Sequence, residues 1–217
     1  LTRFLEQFGL AISGMIFDRE TVITNIATSF RADGNDVAYL GGVITAFVMG
    51  VVFLVLFPGA EDRSAGKLTV LWMSLFSFRI VCYELIAYRL SAVSTIDRAL
   101  AAYSVPPGID TVMAAAGGVG IVLVSMAATT AFLGFHRHRS EIVNGRERLR
   151  FVGSIALVHG LIGPLLVVPF FLPDAGSGYL ATLPLIGLFT VITTLSAPGS
   201  KNVSVTQTIE ERNFSIG

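Results

Sequence analysis

"LWMSLFSFRIVCYELIAYRL", residues 71–90, reads as a membrane-spanning helix until Arg79 and Glu84 interrupt it. On the insertion scale a mid-helix arginine costs about 2.5–3.5 kcal/mol, and a glutamate counted alike brings the pair to roughly 5–7 kcal/mol. Ten Leu, Ile, Val and Phe residues between positions 68 and 88 offset this by about 0.3–0.6 kcal/mol each, roughly 3–6 kcal/mol together. Such a segment is close to balance by itself. It needs neighbouring helices.

The two charges do not neutralise each other along the helix. Five residues of separation set them about 140° apart around the axis and about 7.5 Å along it, whereas side-chain pairs form at three or four. Glu84 shares its stripe with Ser77, Tyr88 and Ser91. Arg79 shares another with Trp72, Phe76 and Tyr83, where a guanidinium can lie over aromatic rings.

The rest of the chain supplies the neighbours. Its 217 residues are 53% hydrophobic and 14% charged, well below the roughly 25% charge of soluble domains. The mean hydropathy is +0.73. A span takes about 20 apolar residues, and five stretches qualify: 38–58, 68–88, 112–135, 151–172 and 179–197. The expected fold is therefore an all-α, polytopic transmembrane bundle over residues 38–198. An amphipathic interfacial segment, 1–37, precedes it and a polar tail, 199–217, follows. Within the first segment, Leu1, Leu5, Phe8, Ile12 and Met15 recur at helical spacing. Residues 21–30 and 95–104 are read as two further short amphipathic helices.

Lys and Arg set the orientation. Nine lie on one side of the five spans and five on the other, with Arg79 inside the second span. The basic loop "HRHRSEIVNGRERLR", residues 136–150, and the C-terminus are expected on the cytoplasmic side, or in a matrix or stroma. The N-terminus is expected outside. Asn202 and Asn213 head apparent sequons on the inner tail, so neither is expected to carry sugar.

Small residues predict where helices approach closely. Gly42, Ala46 and Gly50 recur every fourth residue in the first span, and Ala114 with Gly118 and Ala116 with Gly120 have the same spacing in the third. In the fifth, Gly187, Thr190 and Thr194 share a face with Thr193 beside them. They are read as interhelical hydrogen-bonding groups or a wet lining. Arg137, Arg139, Arg146, Arg148 and Arg150 in the basic loop are candidates for lipid head groups or a partner's acidic surface. His136 and His138 are read as solvated there.

No motif names a reaction. One Cys and three His give no metal-ligand pattern, no nucleophile elbow or Walker loop occurs, and no cofactor is expected. Balanced charge, fifteen basic against fifteen acidic residues, gives no field for nucleic acid. His159 is the single ionisable residue at depth in the fourth span. Three functions follow. The leading one is a non-enzymatic membrane subunit whose partners are the lipid bilayer and either other membrane proteins or copies of itself. Another is a small channel or transporter using Arg79, Glu84, His159, Ser77 and Tyr88. The third is an intramembrane enzyme with Glu84 and His159 as acid and base.

Overall fold

A computed structural model describes residues 2–17, 21–23, 28–30, 37–60, 65–88, 94–101, 103–136, 142–158, 162 and 177–200. The elements are α1 Thr2–Ile16, β1 Thr21–Ile23, β2 Thr28–Phe30, α2 Leu40–Leu56 entered through a 3-10 turn Val37–Tyr39, and α3 Ala65–Ala87. Four more helices follow: α4 Thr95–Leu100, α5 Ile109–Leu133, α6 Gly145–Leu157 and α7 Ser177–Ser196. The chain divides into two compact units, one of residues 1–124 with 171–182, the other of 125–170 with 183–217.

Three helical stretches are long and apolar enough to cross a membrane: Val37–Leu56, Ala65–Ala87 and Ile109–Leu133. They coincide with the first three expected spans. The fourth and fifth do not reach that standard among the described residues. α6 ends at Leu157 after 13 residues, about 20 Å of helix, and most of 151–172 lies outside the described residues. α7 contains Pro184, and its described apolar stretch is Pro184–Ser196.

In the first unit α2 and α3 form an antiparallel pair, as a short connection requires. Ser74 Oγ donates to Gly50 O at 2.9 Å. A Cβ at Gly50 would stand 3.1 Å from the Phe78 ring, and Phe78 meets Phe47 edge-on at 6.0 Å. α5 closes on α3 through Gly117, where a Cβ would meet Cys82 O at 2.7 Å, and through Gly120, where it would meet Cys82 Sγ at 2.7 Å. Val43, Tyr88 and Ile96 form the buried centre, with Leu85 and Met113 packed against it.

Burial in this unit is inverted relative to a water-soluble bundle. Glu84 is 2% exposed while Val55 is 71% exposed. Along α2 the small residues Gly42, Ala46 and Gly50 are buried, and Ile44, Phe47, Val48, Val51, Val52 and Leu54 face outward. Contiguous apolar surface on that scale is unfavourable in water at about 25 cal/mol per Å². In hydrocarbon it carries no such penalty.

Two local expectations are corrected. Residues 21–30 hold an antiparallel strand pair, with Thr21 opposite Phe30 and Ile23 opposite Thr28, instead of an amphipathic helix. Thr21, Val22, Ile23 and Thr24 form a β-branched run, whose stiff χ1 angles suit an extended chain better than a helix turn. The basic loop is also shorter than expected. α6 begins at Gly145, where Glu147 turns back to accept from the Asn144 N–H at 3.2 Å and satisfies a donor that the helix start leaves open.

Candidate functional site

The polar centre of the first unit is built on the last turns of α3. Ser77, Glu84 and Tyr88 are all buried there, at 1%, 2% and 2% exposure. Glu84 points at the start of α4. Its Oε2 accepts from the Thr95 N–H at 2.8 Å, from Thr95 Oγ1 at 2.9 Å and from Ser94 Oγ at 3.3 Å. Ser94 is at the same time the N-cap of α4, accepting from the Asp97 N–H at 3.3 Å. Its hydroxyl therefore joins the carboxylate to the helix end. A negative group at a helix start also meets the positive end of the macrodipole.

Ser94 and Thr95 were missed at the sequence level, although the signal was present. Ser-x-x-Asp at 94–97 is the capping pattern that opens a helix. Reading it would have placed two hydroxyls and a free N–H ten residues beyond Glu84.

Arg79 lies on a different face from Glu84. Its guanidinium carbon stands 5.0 Å from the Phe76 ring centre, and Phe76 stacks on Trp72 at 5.1 Å with 27° between planes. The three side chains follow one another at helical spacings of four and three, so the cation rests on a π surface supplied by its own helix.

The chain matches no family model, no curated protein and no solved structure.

The remaining candidates fall in several places. His159, Arg137 and Arg139 lie outside the described residues, so no separation between Glu84 and His159 is measured. Arg146 and Arg150 are exposed on α6. Arg148 is turned inward: Nε donates to Ile142 O at 2.7 Å and Nη1 donates to Ser200 O. It ties the start of α6 to the segment that follows α7. His136 is 6% exposed, with Nδ1 2.8 Å from Leu133 O, so the expectation of a solvated histidine is also corrected. Its backbone leaves α5 through a tight turn that folds the ring back on the helix.

Among the packing glycines, Gly118 and its neighbour Gly117 differ. No described atom comes within 4 Å of where a Cβ at Gly118 would stand, whereas Gly117 is pressed against α3. The hydroxyls of α7 mostly bond within their own helix, Thr190 to Ile186 O at 2.9 Å and Thr194 to Thr190 O at 2.8 Å. One hydroxyl bond in the second unit does cross between helices: Thr129 Oγ1 donates to Thr193 O at 2.8 Å. Thr193 Oγ1 is itself buried with no hydrogen-bond partner among the described residues. No group of three or more His, Cys, Asp or Glu side chains able to hold a metal occurs among the described residues.

Proposed function

We propose that the chain is a non-enzymatic integral membrane subunit of about five spans that packs against other membrane proteins or against copies of itself. The observation that carries this reading is the commitment of Glu84. A proton carrier or general base needs an oxygen open to its substrate or to a relay. Glu84 instead directs Oε2 at three donors of α4 and is almost wholly buried. Arg79 is likewise engaged on its own helix by Phe76. The Glu84 carboxyl used in this way holds one helix to another.

A face for a neighbour is present on α5. Gly118 opens onto free space among the described residues, and Ala115, Ala116, Val119 and Val122 beside it are exposed. Small residues at such a face let a second helix approach closely. In this reading the basic loop and C-terminus lie on the cytoplasmic, matrix or stromal side. Purification in mild detergent tests the assembly: a stable monomer across a wide range of concentrations, with nothing bound, overturns it.

A small channel or transporter is the second reading, favoured by the Thr193 hydroxyl. A buried hydroxyl without a protein acceptor is a place where water or a permeating cation finds a ligand. Proteoliposome flux abolished by Thr193→Val, with assembly retained, would move the assignment to transport.

A further inference from the structure

We propose that α1 is immersed in the hydrocarbon of the bilayer beside α2, running across it, and does not lie flat on the membrane surface. The inference rests on reading α2 as a span.

The register between the two helices carries it. A Cβ at Gly9 would collide with the Thr45 side chain, and one at Gly41 would collide with Ser13. Ser13 Oγ donates to Ala38 O at 2.7 Å. As α1 advances from 9 to 13, its partners retreat from 45 through 41 to 38. The helices are therefore antiparallel, in backbone contact at two glycines. Continuing that register sets Met15 level with Tyr39, Ile12 near Gly42 and Phe8 near Ala46. The α1 backbone continues to Thr2, about 10 Å beyond Phe8. A helix in this register cannot stay at the interface when α2 crosses the membrane.

The chemistry of its outer face agrees. α1 turns Gly9, Leu10 and Ser13 inward. Phe8 is 52% exposed, Ile12 41%, Met15 70% and Ile16 73%. On a surface helix the apolar stripe faces the membrane core and the polar stripe faces water. Here the apolar stripe faces away from the bundle, continuing the outward face of Ile44, Phe47 and Val48 on α2. Acyl chains are the occupant that suits both. The polar residues Arg3, Glu6 and Gln7 all fall in the first half of α1, the half directed toward the inner interface. Moving Arg3 to that side changes the Lys and Arg division from nine against five to ten against four, which sharpens the positive-inside asymmetry.

Depth along the helix is the test. Nitroxide labels are placed singly at Met15→Cys, Ile12→Cys and Phe8→Cys, and at Ile44→Cys, Phe47→Cys and Val51→Cys, in full-length Cys82→Ala protein reconstituted in phosphatidylcholine vesicles. Relative collision rates with oxygen and a water-soluble nickel chelate report depth. The expected result is a descent of about 10 Å from Met15 to Phe8, with Ile12 within about 3 Å of Ile44. Equal, shallow depth at all three α1 positions beside a graded α2 overturns the immersion of α1 alone. No gradient along α2 overturns the span reading and this inference with it.

Discussion

Glu84 joins two elements through one oxygen, and its substitutions separate charge from shape. Hydrogen bonds to a charged group contribute about 1.5–3 kcal/mol. Glu84→Gln keeps a carbonyl oxygen within reach of the Thr95 N–H and Oγ1, so a loss of about 1–2 kcal/mol is expected. Glu84→Ala strands the buried Ser94 hydroxyl and the Thr95 donors, and should cost at least twice as much. Thermal unfolding in detergent orders the two, and equal losses would count against the cap. For Arg79→Leu the effects run in opposite directions. Insertion of the isolated second span should improve by about 3 kcal/mol, read as the inserted fraction in a glycosylation assay. The folded chain should lose the Arg79–Phe76 contact, about 0.5–2 kcal/mol. The separate faces of these two charges were legible from a five-residue spacing. What Glu84 touches was not, because its partners arrive after the chain turns.

Helix packing shows where the limit of the sequence lies at the level of the element. "AAAGGVG", residues 114–120, announces a close approach, and α5 does press on α3. A run of adjacent small residues covers more than half the helix circumference, however, so it leaves open which glycine meets the neighbour. The structure selects Gly117 and Gly120 and leaves Gly118 open. Gly117→Ala forces its new methyl against Cys82 O, an overpacking that costs about 1–3 kcal/mol. Gly118→Leu should leave the stability of the isolated chain within about 0.5 kcal/mol while weakening association. Unfolding and sedimentation measured on both variants check the pair. The first three spans were legible because their apolar runs are long, the second even with Arg79 and Glu84 inside it. Residues 21–30 were misread because ten residues hold too few turns for a weak period to outweigh β-branching.

Over the whole molecule, the three long helices fix a pattern of sides that labelling can read. Ala60 lies in the connection from α2 to α3, and Ser104 in the one from α4 to α5. With α3 crossing, Ala60→Cys and Ser104→Cys should react with a membrane-impermeant maleimide from opposite faces, Ala60 from the inner one. Reaction of both from the same face would remove α3 from the spans. The inner placement follows from charge alone. The number of spans was less legible. The fourth candidate stretch carries Gly160, Gly163, Pro164 and Pro169, and because a proline brings no backbone donor, an apolar run of that length does not by itself imply a straight helix.

The bonds described above also differ in when they become possible during synthesis. Those of the first unit close short loops: Ser74 to Gly50 over 24 residues, Ser13 to Ala38 over 25, and Thr95 to Glu84 over 11. Two of the second close long ones, Arg148 to Ser200 over 52 residues and Thr129 to Thr193 over 64. A ribosome that has made only the first 136 residues has supplied both ends of every bond in the former set. The Thr129 hydroxyl, already made and 2.9 Å from Ser125 O on its own helix, gains its second acceptor only when α7 emerges. Stalling or truncation before that point therefore leaves the second unit without its long-range ties while those three bonds of the first can already form.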